Sequence, residues 1–299
     1  MYYNTYGEFL TLRNTITYYE DVYMQFLGKI VEILSLTAAT PKLFGWVHIL
    51  SFALAVGLGI FLSIRFKNAD QKTVRTILFI TSVVTIAFEI YKQFVFSTSF
   101  DGQTVTFDYQ WYAFPFQFCS TPMYVGLLAS LIKKEWLHKT LCAFLATYGL
   151  FAGLVVMFYP GDVFMSIIGI NIQTMVCHGL MVSIGIFLLA SGYVRPKHSS
   201  MLPAICTFAF LISIAMILNE VFYFSGIIGD ETFNMFFISR HFPPHLPVYS
   251  AIQNVIPFPF CIFFYILGFS SAAYVLLLIN IAVHSIVKKV RAKRGALVQ

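Results

Sequence analysis

Two side chains in this sequence fit covalent chemistry if they meet in space: the thiol of Cys119 and the imidazole of His178. A thiolate attacks an acyl carbon while an imidazole carries the proton, and the pairing is spatial rather than sequential. Gln117, Gln173 and Asn219 carry side-chain amides that can donate hydrogen bonds to a developing oxyanion. Glu89, Lys92 and Gln93 share one helical face at i, i+3 and i+4, and Lys92 can equally serve only to neutralise Glu89. Asn171, Thr174 and His178 make a second stripe at i, i+3 and i+7. Asn219 and Glu220 close a third, where an acidic cap near the membrane interface is the plainer reading. The plainer reading of His178 is a satisfied core histidine. No metal-ligand spacing occurs in the chain, and neither metal nor cofactor is expected.

Every one of these residues lies in apolar sequence. Of 299 residues, 59% are hydrophobic and 11% charged, with mean hydropathy +0.79, against about 25% charged residues in a soluble domain. The fold expected is therefore all-α: a polytopic transmembrane helical bundle. The five cysteines fall inside apolar segments, so no disulfide framework is expected. The net charge of +6 is placed in short links and a tail, which argues for membrane orientation and against nucleic acid as a partner.

Seven apolar segments near the ~20 residues of a span follow residue 42: 43–64, 74–96, 113–132, 137–158, 169–191, 202–225 and 258–283. Most of the 19 Lys and Arg lie in alternate links (Arg65 to Arg75, Lys133 to Lys139, Arg195 to Lys197) and beyond Lys288. The positive-inside rule then puts the N-terminus outside and the C-terminus in the cytoplasm of a multi-pass protein of the cell membrane. Residues 22–40 read as an amphipathic helix lying at the interface, with Lys29 and Glu32 opposite Phe26, Ile30, Ile33 and Leu34. The chain thus divides into an N-terminal segment (1–42), a seven-helix domain (43–287) and a basic cytoplasmic tail (288–299). The third span carries Pro115 and Pro122 around Cys119; Pro122 is expected to kink that helix and free the Phe118 carbonyl. On this threading Cys119, His178, Glu89, Lys92, Asn219 and Glu220 fall in the outer half of the membrane, facing a shared outward-opening pocket. Membrane lipids are the expected partners.

The order of several features resembles the YwaF-type family of multi-pass membrane proteins, which includes an animal transmembrane acyltransferase acting on arachidonoyl ether phospholipids. They are Pro115-Phe-Gln-Phe-Cys119, Phe158-Tyr159-Pro160, the stretch from Ile172-Gln173 to His178, Pro196, and Asn234-Met235-Phe236. The resemblance covers about residues 43–290. It implies that Cys119 accepts an acyl group and that His178 is its base; the distance to Pro196 selects His178, with Thr174 the alternative at that position. The bacterial pattern His-Leu-Cys is replaced by Gln117-Phe118-Cys119, and Gln117 cannot act as a base. Two functions stand side by side: a lipid acyltransferase or thioesterase-like enzyme built on Cys119 and His178, and a small-molecule or proton-coupled transporter or binding protein built on Glu89/Lys92 and Asn219/Glu220.

Overall fold

A computed structural model describes residues 22–243, 247–253 and 255–296. Residues 1–21 of the expected N-terminal segment and 297–299 of the expected tail lie outside the described residues. Among those described, six helices are long and apolar enough to cross a membrane. They are α2 (Trp46–Arg65), α3 (Gln71–Ser97), the continuous helix α5–α6 (Glu135–Phe158), α7 (Ile168–Ala190), α8 (Met201–Ser225, entered through a short turn from His198) and α10 (Phe258–Ala296). Shorter helices are α1 (22–34), α4 (Thr121–Leu131) and α9 (Pro247–Gln253). Apolar belts on α2 and α10 stay uncovered, as with Leu54, Phe61, Phe263 and Val275, while polar side chains collect inside. That is the distribution a bilayer imposes, and the chain is a multi-pass membrane protein.

The centre of the bundle is α7, most of whose length is buried. Small residues let its neighbours approach closely. A Cβ on Gly59 of α2 would lie 3.0 Å from the Ser183 carbonyl oxygen, and Ser183 Oγ donates across the gap to the Ala55 carbonyl at 2.7 Å. On the other side, Gly153 of α6 faces the His178 carbonyl oxygen, which an added Cβ would meet at 2.8 Å. Between α5 and α6 the helix widens by one i→i+5 turn over Leu145–Gly149, which carries the fully buried Tyr148.

The segment expected as the third span departs from expectation. Only the 11 residues of α4 are helical, a rise of ~16 Å against a hydrocarbon core of ~30 Å. Pro122 does not kink a helix. It lies in the first turn of α4, where its missing N–H costs nothing and its fixed φ suits the helical start. The Phe118 carbonyl is accordingly not free: it accepts from Thr121 Oγ1 at 2.9 Å. Before α4, residues 108–120 form irregular backbone with tight turns at Trp111–Ala113 and at 118–120. In lipid such backbone is tolerated where protein or a wet cavity covers it.

The cover here is a second irregular stretch after α8. Gln117 Nε2 donates to the Asn234 carbonyl at 3.0 Å, and Phe236 N–H donates to Gln117 Oε1 at 2.9 Å. Trp111 N–H donates to Glu231 at 3.0 Å, and the rings of Trp111 and Phe114 pack on Phe222 and Phe233. Phe236 takes a left-handed φ of 58°, a costly conformation for a bulky residue. It is held there by Gln117 and by Tyr265, whose hydroxyl donates to its carbonyl at 2.9 Å.

At the same end, an antiparallel hairpin (Thr98–Phe100 with Val105–Phe107) extends α3. The α1 helix rests on it, Gly28 giving room to the Phe100 ring. Helical structure expected to residue 40 stops at 34, because residues 36–38 extend and pair with 166–168 through Ile168 N–H to Leu36 O (2.9 Å) and Ala38 N–H to Ser166 O (2.8 Å).

Candidate active site

The irregular approach to α4, together with α3 and α7, encloses a cavity of about 330 Å³. Cys119 and Ser120 come from the approach, Thr85, Glu89 and Lys92 from α3, and Gln173, Thr174, Cys177 and His178 from α7. Phe96, Tyr112, Met123 and Met181 supply apolar wall. A second cavity of about 650 Å³ shares Lys92, Phe96, Tyr112, Cys119 and Ser120 with the first and opens toward Asp108, Gln110, Glu231 and Thr232. Cys119 therefore borders both chambers, at the step between a polar vestibule and the inner pocket. Together they have the dimensions of a ligand site, typically ~300–1,000 Å³.

Irregular backbone is what exposes Cys119. In a continuous helix its thiol would be one of many side chains on a packed surface; here the helix begins two residues later, and Cys119 is solvent-accessible. His178 is 9% exposed, and its Nδ1 lies 2.8 Å from the Thr174 carbonyl oxygen. A carbonyl only accepts, so Nδ1 carries the proton and the neutral ring keeps its lone pair on Nε2. Among the described residues no hydrogen-bond partner meets that Nε2. A buried imidazole nitrogen without a partner, on the wall that also carries a thiol, is the arrangement of a base awaiting a donor.

Glu89 and Lys92 meet at 2.8 Å, and Gln93 donates to the same Glu89 oxygen at 2.8 Å and to the Ala113 carbonyl at 2.7 Å. Gln93 thus ties α3 to the irregular approach, while Lys92 borders both chambers. Gln173 reaches Cys177 Sγ at 3.7 Å.

Three amides and one carboxylate expected at the pocket have other duties. Asn219 sits 1% exposed and binds both main-chain groups of Met235, with N–H to Oδ1 at 2.7 Å and Nδ2 to the carbonyl at 3.1 Å. Asn171 does the same for Met165, at 3.0 and 2.7 Å. Gln117 borders the vestibule, but both ends of its amide serve the 234–236 backbone. Glu220 lies at the far side of α8, paired with Arg240 Nη2 at 2.8 Å and His241 Nε2 at 3.1 Å. The physical reason is common to the three amides: irregular backbone at membrane depth needs donors and acceptors, and nearby polar side chains provide them before any ligand does, whereas Glu220 is taken up by two cationic side chains.

Cys177, Ser120 and Tyr112 line the cavity and were not singled out from sequence; Thr85, which also lines it, continues the helical face of Glu89 and Lys92. The signal for Cys177 was present, since it follows Gln173 by one helical turn and precedes His178. Ser120 gave no signal beyond adjacency to Cys119.

A model of the TMEM164 family matches residues 43–281. The chain belongs to the TMEM164 family. No curated protein and no solved structure matches it. The range common to the TMEM164 family starts just before α2 and runs into α10, so it holds every cavity residue and leaves out α1. Membership supports the multi-pass membrane architecture; it does not itself carry the YwaF-type label or an acyl-transfer activity.

Proposed function

We propose that the chain is a lipid acyltransferase or thioesterase-like enzyme of the cell membrane, with Cys119 as nucleophile and His178 as base. The observation that supports this most is that an accessible thiol and an imidazole with an unpartnered Nε2 line one cavity inside the bundle. In the first half-reaction His178 Nε2 takes the Cys119 proton as Sγ attacks the carbonyl carbon of a phospholipid ester. The Sγ–C bond forms, the ester C–O bond breaks, and His178 returns the proton to the leaving alkoxide. In the second half-reaction a lysolipid hydroxyl or water attacks the thioester, again with His178 as base, and the thiol is restored. Lys92, whose ammonium borders both chambers, is placed to favour negative charge on the reacting oxygen. A lipid is the natural substrate because the site is sunk among apolar helices.

The basic links and tail favour the outward orientation of this cavity, with α4 and its irregular approach making one of seven crossings and α1 lying at the outer interface. The decisive experiment is intact-mass analysis of the purified protein incubated with phosphatidylcholine. A single acyl adduct, released by hydroxylamine and missing in Cys119→Ala, is the expected result. A wild-type protein that never acquires an adduct, in cells whose lipid profile is unchanged by Cys119→Ala, defeats the reading.

One observation favours a transporter or binding protein instead: the Glu89–Lys92 ion pair opens onto the same cavity. If Glu89→Gln abolishes function while Cys119→Ser is tolerated, that second reading holds. Asn219 and Glu220 add little to it, being engaged elsewhere.

A further inference from the structure

The opposite end of the bundle, where the short basic links lie, has a concavity that the acyl chemistry does not use. It has a volume of about 340 Å³ and is walled by the α2–α3 link, the first turns of α5 and the link after α7. Three cations line it, Lys67, Lys139 and Arg195, against one carboxylate, Glu135. Among the described residues no ion pair or side-chain hydrogen bond engages Lys67 or the Arg195 guanidinium. Like charges gathered in one hollow repel, and a solvated face would spread them apart.

Lys139 is held rather than loose. Its ammonium lies 3.3 Å from the centre of the Tyr193 ring and donates to the Tyr193 carbonyl at 3.2 Å, which leaves two of its three donors open. Tyr193 is fixed in turn by the buried His138, whose Nε2 lies 2.7 Å from the Tyr193 hydroxyl and whose Nδ1 lies 2.8 Å from the Ala129 carbonyl oxygen. Gly192, at φ 75°, turns the chain back after α7 so that Tyr193 and Arg195 close over α5. Asn68 and Gln71 add neutral amides.

A neighbouring groove of about 370 Å³ shares Glu135, Lys139, Tyr193 and Arg195, and continues past Trp136, Ala143 and Pro203 between α5 and the start of α8. A charged hollow that runs into a groove of mixed lining, apolar at Trp136, Ala143 and Pro203 and hydroxyl-bearing at Thr140, Ser199 and Ser200, on the flank of a membrane bundle fits an amphiphile. The excess of two positive charges fits a phosphomonoester, which carries about −1.5 to −2 at neutral pH, better than a singly charged phosphodiester.

We infer that Lys67, Lys139 and Arg195 form a binding site for a membrane lipid with a phosphomonoester headgroup, the phosphate lying in the hollow and the start of a chain in the groove toward α8. This site is separate from the Cys119 cavity and does not depend on the acyl-transfer reading.

The test is binding of fluorescent short-chain phosphatidic acid to the full-length protein in phosphatidylcholine nanodiscs. Arg195→Gln and Lys67→Gln should each weaken binding about tenfold, the scale of one charge-assisted hydrogen bond. Lys197→Gln, which removes a cation from the same link but outside the hollow, should leave binding within about twofold; Lys67 is exposed, so that variant keeps the test valid if Arg195→Gln fails to fold. An equal loss in Lys197→Gln would mean a diffuse basic face and would overturn the site. Inorganic phosphate displacing the probe as well as unlabelled phosphatidic acid does would overturn the lipid assignment, and phosphatidylglycerol binding as tightly would overturn the phosphomonoester.

Discussion

Asn219 holds Met235 by both of its main-chain groups, accepting the N–H at 2.7 Å and donating to the carbonyl at 3.1 Å, with the asparagine 1% exposed. A side chain that looks like a cavity donor is thus a brace for the loop that covers the approach to Cys119. Replacing it by alanine leaves a buried donor and acceptor unmatched. Asn219→Ala should cost about 2–4 kcal/mol, read as a lowered unfolding midpoint in detergent; a shift too small to measure would mean water replaces the amide.

The ion pair of Glu89 and Lys92 should show strong coupling. Glu89→Gln alone strands a largely buried ammonium and should destabilise by about 1–3 kcal/mol, less than for a dry pair because the cavity can admit water. Lys92→Met should cost a similar amount, and the double variant should cost less than the sum of the two. Additive single effects would show that the pair contributes no interaction energy.

Gly153 sets the distance between α6 and the turn of α7 that carries His178. A methyl there would press on the His178 carbonyl oxygen at 2.8 Å and on Met181 Cβ at 2.9 Å, and backbone cannot step aside as a long side chain can. Gly153→Ala should lose about 1–3 kcal/mol from overpacking and should reduce any activity that depends on His178. Retained stability together with full activity would show that the two helices separate at little cost.

Thiol accessibility gives an ordering that does not depend on any activity. Cys119 and Cys177 line the cavity, whereas Cys142 and Cys261 are fully buried. Of the two cavity thiols a small methanethiosulfonate should label Cys119 before Cys177, while Cys206 on the outer face of α8 is followed as a separate exposed site and Cys142 stays unmodified in the native protein. His178→Ala should slow labelling of Cys119 if the imidazole draws off its proton. Equal rates in wild type and His178→Ala would remove His178 as the base.

The hairpin after α3 should respond to acid. The Asp101 carboxylate accepts from Thr104 N–H at 2.7 Å, from Gln103 N–H at 2.8 Å and from the Thr104 hydroxyl at 3.0 Å. These bonds, the Thr104 amide foremost, hold its carboxyl below the ordinary aspartate value. A group lowered on folding stabilises the turn above its unfolded value, and that contribution disappears as the pH falls through the folded value. Protection of the Gln103 and Thr104 amides, measured against the intrinsic exchange rate at each pH, should therefore fall at strongly acid pH in the wild type. In Asp101→Asn protection should be low at neutral pH as well, with little further change on acidification; a wild-type turn whose protection ignores the carboxyl would contradict this.

The sequence by itself determined the solvent of this protein and the class of its fold. Long apolar runs broken by short basic links call for helices in lipid, and they placed α2, α3, α5–α6, α7 and α8 within a few residues; α10 starts where expected at Phe258 but continues past the expected end at 283 to Ala296, taking in the start of the expected basic tail. It also pointed to the stretch around Cys119 as unusual. What that stretch does was decided by tertiary structure. Pro122 suits a helix start as well as a kink, and only the bonds from Gln117 to 234–236 and from Gln93 to Ala113 show where the helix begins. The same holds for the polar groups. Glu89, Lys92, Gln173 and His178 meet Cys119 at one cavity while Asn171, Asn219 and Glu220 turn to loops, although all seven helical residues occupy stripes of similar appearance. An amide binds a ligand or a neighbouring backbone through the same two atoms, so its type and depth are fixed by sequence, but its partner is chosen by whichever unsatisfied main-chain group the folded chain brings within reach.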